Sequence, residues 1–316
     1  MATGHRLVSV VDDPFQLLFR FFSMPIYYPD VLAEQAVPRR FSYTEKDVML
    51  YALSIGMGDD PLDRRELPFV YEKDLRVVPT AVTVLTKADF SPNLQNIVEA
   101  PGQRRSNIKL ETVLHGEQKI VLHRPLPASG SFTINERNVG AFDKGAGVGA
   151  VVVRATTWQD DNDETVATLT STAFARSEGG FGGPREGQPE PHVVPERAPD
   201  LSVELPTRTG LGLLYRLNGD MNPLHVDPES AQCSGFSRPI LHGLCTYGIT
   251  CRAILQYVAD FDATAIYSHQ VRFAAPVYPG DTINVDIWID GREISFEASV
   301  KERDVKVIKN GLTVLR

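Results

Sequence analysis

Cysteine is scarce in this 316-residue sequence, and long hydrophobic runs are absent from it. Its three cysteines, Cys233, Cys245 and Cys251, cannot form a disulfide framework and include no C-x-x-C pair for zinc. We expect small buried side chains in a reducing compartment, with a nucleophilic cysteine as the alternative. No apolar run reaches the roughly 18 residues of a membrane-spanning helix, and the N-terminus has no signal-peptide pattern, so secretion is not expected.

Positive charge is also in deficit, because 32 Lys and Arg residues stand against 40 Asp and Glu residues, a formal net charge of −8. This balance argues against a nucleic-acid partner and against an anionic membrane, and an anionic ligand would need a local basic patch. The glycine-rich stretch at 179–183 has no Gly-Lys-Ser/Thr and is therefore no P-loop. The scattered histidines include no H-E-x-x-H zinc motif.

Glycine and proline are concentrated at 177–206, which we interpret as a linker that cannot pack into a core. The linker divides the chain into an N-terminal extension at 1–39, a first half at 40–176 and a second half at 207–316. In each half a helical pattern comes before a run of strands. This order predicts the α+β class, with an antiparallel sheet wrapped around a helix, and it argues against a parallel βαβ sheet.

The first half begins with Ser42-x-x-Glu45, which we interpret as a capping box. Apolar residues then recur at helical spacing, namely Val48, Tyr51, Ala52 and Ile55. Asp13-Pro14 predicts another helix within the extension. Segments rich in Val, Ile and Thr predict the strands Ile108–Val113, Glu117–Arg124, Ser131–Phe142, Gly147–Trp158 and Thr165–Ala175.

The second half has three helix signals: a pattern at Gly210–Leu217, the cap Asp227-Pro228, and a broad apolar face over Gly243–Ala259. Strands are then predicted at Ser268–Ala275, Thr282–Ile289, Ile294–Lys301 and Val305–Leu315.

The densest polar segment, residues 215–228, contains Asp220 and His225. On a continuous helix two side chains five residues apart point in different directions, but Gly219 and Pro223 argue against such a helix. In a tight loop both can turn into one pocket as an acid–base pair, with Asn222 orienting a water or a substrate oxygen. The plain alternative is that they are turn and core residues, and a metal held by Asp220, His225 and Asp227 is a further one.

The long second-half helix begins at Gly243, directly after His242. The backbone N–H of a first-turn residue has no intrahelical partner, so the Gly243 N–H could stabilise a developing oxyanion such as a thioester enolate. Taken alone, a His-Gly pair before a helix is a weak signal, and we interpret His242 as structural.

The segment Tyr215–Pro228 resembles the signature of R-specific (type 2) enoyl-CoA hydratases, the MaoC-like dehydratases. Further matching segments are Phe41–Thr44, Phe69–Glu72, Val113–Gln118, Asp143–Gly145, Gly179–Gly183, Pro239–Cys245 and Arg272–Gly280. Together they cover roughly residues 40–316 and are similar to the hydratase unit of peroxisomal multifunctional enzyme type 2. The resemblance implies a double hot-dog fold in which only the second half keeps the full long helix. The first half would then hold an apolar trough for the acyl chain.

The same resemblance implies site residues. The catalytic group would be Asp220, His225, Asn222 and Gly243, and the contacts to CoA would be His115, Gly116, Lys144, Arg272 and Phe273. It also implies reversible addition of water to trans-2-enoyl-CoA, giving (3R)-3-hydroxyacyl-CoA, with no metal or other cofactor. A hot-dog acyl-CoA thioesterase and a non-catalytic acyl-CoA-binding module are the alternatives. We expect a homodimer, in a bacterial cytoplasm or in a peroxisomal matrix.

Overall fold

Antiparallel strands dominate the fold. The computed structural model describes residues 26–87, 97–98, 113–176 and 178–316. The strands are β1 (Gln35–Ala36), β2 (Arg39–Tyr43), β3 (Ile97–Val98), β4 (Val113–Leu122), β5 (Gly130–Asp143), β6 (Gly149–Gln159), β7 (Thr165–Arg176), β8 (Leu201–Pro206), β9 (Ile266–Phe273), β10 (Thr282–Asp290), β11 (Glu293–Val300) and β12 (Val305–Leu315). Eight predicted strands are confirmed within a few residues, and nearly all of the ninth, Ile108–Val113, lies outside the described residues.

The described α-helices are α1 (Asp30–Ala33), α2 (Glu45–Ser54), α3 (Leu67–Val70), α4 (Leu211–Tyr215), α5 (Pro228–Cys233) and α6 (Gly243–Tyr257). The three predicted second-half helices are confirmed, and α6 ends two residues before the predicted end. The helix predicted after Asp13-Pro14 lies outside the described residues. No described helix is both long enough and apolar enough to span a membrane.

One sheet runs through both halves of the described chain. Its strand order is β3-β1-β5-β6-β7-β4-β9-β12-β11-β10-β8, and β2 pairs with β5 outside this path. The halves meet where β4 pairs antiparallel with β9, from Glu117 opposite Arg272 to Val121 opposite Ser268. In the second half, β9–β12 share one buried cluster with α6. The longest described helix of the first half is the ten-residue α2.

The capping box of α2 is two residues from its predicted place. Thr44 is the N-cap, and its backbone N–H donates to Asp47 Oδ2 at 2.8 Å. The Ser42–Glu45 prediction is wrong because Ser42 pairs with Ser131 in the sheet, so its backbone stays extended. The apolar face predicted for α2 is confirmed, since Val48, Tyr51, Ala52 and Ile55 are buried.

The glycine- and proline-rich segment packs more closely than expected. Its last six residues form β8 and pair with β10, and Phe181 is buried against Ile26. Burial raises the pKa of the Asp143 carboxyl, but the hydrogen bonds that it accepts from the N–H groups of Gly180, Gly145 and Gly182 lower this pKa overall. The expectation that this segment cannot pack is therefore wrong. The Asp143 carboxylate accepts hydrogen bonds from backbone N–H groups of the glycine loop at 179–183, which holds this loop against the first half.

The cysteine prediction holds for two of the three residues. Cys245 and Cys251 are buried, and burial raises the pKa of the Cys251 thiol to about 12. Cys233 is exposed, contrary to the prediction, because it is the last residue of the short surface helix α5.

A buried imidazole supports the packing of α6 on the sheet. His269 of β9 lies 2.7 Å from Thr313 Oγ1 through Nδ1 and 3.2 Å from Thr250 Oγ1 through Nε2. Tyr247 donates its hydroxyl to the His269 carbonyl at 2.8 Å. Burial lowers the pKa of His269 to about 3, so the ring is neutral in the folded protein at ordinary pH.

Acid should therefore destabilise the protein through His269. The unfolded chain takes up a proton below about pH 6.5 that folded His269 does not accept. Lowering the pH from about 6.5 to about 4.5 should cost about 2.3 kcal/mol of stability through this group. Urea unfolding against pH should show a flatter acid limb for His269→Gln, whereas the exposed control His123→Gln should follow the wild type. An unchanged limb in His269→Gln would contradict the assignment.

Candidate active site

The loop after α4 turns sharply, which brings its polar side chains to one side. A 3-10 turn ends at Asn218, and Gly219 follows with φ of 103°, a left-handed conformation that favours glycine. The Asn222 side chain accepts from the N–H of Leu224 at 3.0 Å and caps a second 3-10 turn, Pro223–His225. The break in helical structure expected from Gly219 and Pro223 is therefore confirmed.

Asp220 and His225 converge within this loop, together with a second histidine. One side-chain ligand atom from each of Asp220, His225 and His242 lies within 4.8 Å of the others. Asp227 has a different task, because it caps α5 by accepting from the N–H groups of Glu229 and Ser230. The metal alternative stated above included Asp227, but the residue that joins Asp220 and His225 in the structure is His242.

The tautomer of His225 follows from its surroundings. Nδ1 lies 2.9 Å from the Ile240 carbonyl, which can only accept, so Nδ1 carries the proton of the neutral ring. Nε2 is then the nitrogen that can take a proton. This is the arrangement that a general base requires.

His242 contacts both members of the predicted pair. Its ring stacks on His225 with centroids 3.7 Å apart, and its Nε2 lies 3.2 Å from the backbone carbonyl of Asp220. His242 is buried and is also the N-cap residue of α6. Sequence analysis interprets His242 as structural and does not place it at the site, and no spacing rule predicts that its ring stacks on His225.

Gly243 is the first residue of α6 and lines the same cavity. Its N–H has no intrahelical acceptor, and the positive end of the helix dipole adds to its attraction for negative charge. A Cβ at this position would lie 3.3 Å from the Phe273 ring. Glycine thus allows the ring to lie against the start of the helix.

The cavity has a volume of about 620 Å³ and is lined by residues of both halves. Six of the nine predicted site residues line it, namely Asp220, Asn222, His225, Gly243, His115 and Phe273. The His115 and Phe273 rings lie 4.9 Å apart and link β4 to β9. The cavity therefore lies at the junction of the two halves.

The other three predicted residues do not line this cavity. Gly116 lies at a register shift in β4, Arg272 is exposed on β9, and the Lys144 ammonium donates to the Arg185 carbonyl at 3.1 Å. The cationic side chains on the described cavity wall are instead Arg154 and Arg176. Sequence reasoning missed both because strand alternation alone does not show which face of a strand meets a cavity.

The first-half wall of the cavity, where an apolar trough is expected, carries both apolar and polar side chains. Its apolar members include Val113, Leu114, Trp158 and Leu169, and its polar members include Glu136, Arg154, Thr156 and Ser171. Residues 154, 156 and 158 are spaced by two along β6 and therefore share one face. The apolar-trough expectation was inferred from a missing helix rather than from these side chains, and it stays a prediction.

Comparison with known proteins gives two family matches. The profile of the MFE-2 hydratase 2 N-terminal domain matches residues 41–177, and that of the MaoC like domain matches residues 192–311. Between them these matches cover most of both halves.

Individual relatives agree with the family matches. The "Enoyl-CoA hydratase ChsH3" of Mycobacterium tuberculosis is 42% identical over 92% of this chain and 99% of its own length. The peroxisomal enoyl-CoA hydratase 2 of Arabidopsis thaliana is 35% identical over 88% of this chain and 92% of its own length. A MaoC-like dehydratase structure from Phytophthora capsici matches with a TM-score of 0.81 at 31% identity, over 92% of this chain and 98% of that one. This similarity and the observed sheet confirm the predicted double hot-dog α+β fold.

Proposed function

The chain belongs to the MaoC-like dehydratases, in the branch of enoyl-CoA hydratases of type 2, and on that premise we propose that it adds water reversibly to trans-2-enoyl-CoA to give (3R)-3-hydroxyacyl-CoA. The observation that carries this proposal is the convergence of Asp220 and His225 in a cavity that also exposes the start of α6. A carboxylate, an imidazole and a helix-start N–H in one cavity are the groups that hydration of a conjugated thioester requires.

In the proposed mechanism the thioester carbonyl oxygen accepts the Gly243 N–H. This polarises the conjugated double bond, so that C3 becomes electrophilic and negative charge develops on the enolate oxygen. Asp220 and His225 together hold one water, take a proton from it as its oxygen bonds to C3, and supply a proton to C2. An acid–base group typically contributes about 10²–10⁴-fold, and an oxyanion donor about 10²–10³-fold.

Hydration neither oxidises nor reduces the substrate, so the proposed reaction needs no redox cofactor, and Asp220, His225 and Gly243 supply the proton transfers and the oxyanion contact. Asn222 uses its side-chain oxygen to cap the second 3-10 turn, which leaves its amide N–H groups as the donors it can offer to substrate. CoA enters as part of the substrate.

The remaining parts of the proposal concern organisation. We keep the division into an extension at 1–39, halves at 40–176 and 207–316, and a connecting segment at 177–206, which the two profile matches support.

We also propose a homodimer, which the mass of the protein in solution would test. A peroxisomal matrix or a cytoplasm is the proposed compartment, and the peroxisomal name of the Arabidopsis relative supports the former.

One assay tests the reaction class. The protein is incubated with an enoyl-CoA, while loss of the conjugated enoyl absorbance and release of free CoA thiol are followed separately. We expect loss of absorbance without thiol. Thiol release would indicate a thioesterase, and neither signal would indicate a module that only binds acyl-CoA.

The CoA phosphates should lie outside the cavity, near the exposed cations. Lys144→Ala should raise KM about threefold or more with little change in kcat, because a phosphate contact is made equally in ground and transition states. Lys301→Ala is the control, since Lys301 pairs with Glu204 away from the cavity lining and its loss should not change KM. A change confined to kcat in Lys144→Ala would remove this residue from the CoA site.

A further inference from the structure

A second cavity is lined by residues of both halves, apart from the catalytic one. It has a volume of about 500 Å³, and its described lining comes from three segments, within 75–79, 122–126 and 262–264. None of these described residues lines the catalytic cavity. The proposed reaction leaves this second cavity, which we call the counterpart cavity, without a task.

The strand order of the sheet relates the two halves by an approximate two-fold symmetry. It runs β5-β6-β7-β4 in the first half and continues as β9-β12-β11-β10 in the second, so each of these strands has an equivalent in the other half. The central strands β4 and β9 pair antiparallel, as a two-fold relation requires. A cavity formed beside one of them should therefore have an equivalent beside the other.

The chain segments that follow the two central strands line the two cavities in the same way. Phe273 ends β9, and it lines the catalytic cavity together with Pro276-Val277. Leu122 ends β4, and it lines the counterpart cavity together with Pro125-Leu126. In both halves a proline stands three residues after the last strand residue, and an apolar residue follows the proline. One wall of each cavity therefore comes from equivalent positions.

The other two walls correspond as well. Residues 240–243, which end at the first residue of α6, line the catalytic cavity together with residues 113–115 at the start of β4. In the counterpart cavity these places are taken by residues within 75–79, which end at the first residue of the 3-10 helix Pro79–Thr83, and by residues 262–264 just before β9. All three segments of the counterpart cavity thus have equivalents in the catalytic cavity.

The counterpart cavity has no equivalents of the catalytic groups among its described lining residues. Pro79 stands where Gly243 begins α6, and proline has no N–H to offer to an oxyanion. Gly58-Asp59 begins four residues after the end of α2, as Gly219-Asp220 does after α4. Asp59 forms an ion pair with Arg208, however, and does not line the counterpart cavity. The symmetry has therefore kept the cavity without its chemistry.

The lining of the counterpart cavity suits the uncharged part of an acyl thioester. Most of its described residues are apolar, and the two charged ones, Arg76 and Asp262, have formal charges that cancel. Both are exposed, and Asp262 caps a 3-10 turn by accepting from the Thr264 N–H at 2.9 Å. An apolar lining favours burial of an alkyl chain, and the volume lies within the roughly 300–1,000 Å³ of small-molecule sites.

We propose that the counterpart cavity is a second acyl-CoA site, which holds the acyl chain of a thioester without converting it. Its ligand class rests on the hydratase function proposed above, because the two cavities are built from equivalent segments. Each chain then binds two acyl-CoA molecules, one at the catalytic groups and one in the counterpart cavity.

The stoichiometry of binding tests this proposal. Decanoyl-CoA has no conjugated double bond to hydrate, so its binding can be followed by equilibrium dialysis without turnover. We expect about two molecules per wild-type chain at saturation. Ala263→Trp should lower this number to about one, because half-buried Ala263 lines the counterpart cavity and the indole would fill part of it. One molecule per wild-type chain would overturn the proposal.

A matched control and a second variant locate the second molecule. Ala198→Trp makes the same change at an exposed residue outside the lining of both cavities, and it should keep about two molecules per chain. Pro125→Trp fills the counterpart cavity from an exposed position and serves if Ala263→Trp does not fold. Two molecules bound to a folded Ala263→Trp or Pro125→Trp variant would contradict the assignment to this cavity.

Hydration and stoichiometry together separate this proposal from the one on which it rests. If trans-2-decenoyl-CoA is hydrated while only one decanoyl-CoA binds per chain, the second site fails and the proposed function stands. If two molecules bind to the wild type and one to Ala263→Trp, but no enoyl-CoA is hydrated, the second site stands and the proposed function fails.

Discussion

Asp220→Asn and His225→Gln should each lower kcat for enoyl-CoA hydration by at least about 100-fold while the protein remains folded. Asparagine keeps the size of the side chain but cannot act as a base, and glutamine removes the Nε2 that the Ile240 contact leaves as the proton acceptor. Loss of enoyl absorbance measures the rate, and thermal unfolding checks the fold.

Asp227→Asn is the matched control for this prediction. It makes the same chemical change in the same loop, but Asp227 caps α5, a task that asparagine also performs well. Its turnover should stay close to that of the wild type. Near-normal turnover in Asp220→Asn or His225→Gln would contradict the catalytic assignment.

Arg252→Met should lower the free energy of unfolding by about 3–5 kcal/mol, because it leaves a buried carboxylate without its cation. Arg252 of α6 lies 3.2 Å from Glu66 Oε1, and Glu66 is only 2% exposed. Glu66 also accepts from the Gly58 N–H at 2.6 Å and from the Gln256 amide. Urea unfolding measures the effect.

The double variant Arg252→Met/Glu66→Leu separates the stranded charge from the loss of packing. Replacing both partners with apolar side chains should recover much of the lost stability, since no buried charge remains. Equal losses in the single and double variants would show that the ion pair is not the cause.

Sequence patterns predicted the strands well because alternation and β-branched residues act locally. The site loop could also be predicted, since Gly219 and Pro223 exclude the continuous helix that would separate Asp220 from His225. These features depend on residues that are close together in the chain.

Features that depend on distant partners could not be predicted. The glycine loop is ordered by Asp143, 37 residues before Gly180, and the stacking of His242 on His225 depends on how α6 meets the loop. The direction in which Arg154 faces depends on the pairing of β6 with both of its neighbours. Composition and local spacing contain no information on such pairings.

The pairing of β4 with β9 has a consequence for behaviour at low concentration. A cavity shared by two separate subunits comes apart when dilution favours dissociation. Here His115 of one half faces Phe273 of the other within a single polypeptide, and the chain keeps the halves at a fixed effective concentration. The geometry of the cavity is therefore set by intramolecular contacts, and it does not depend on how many copies of the protein a compartment contains.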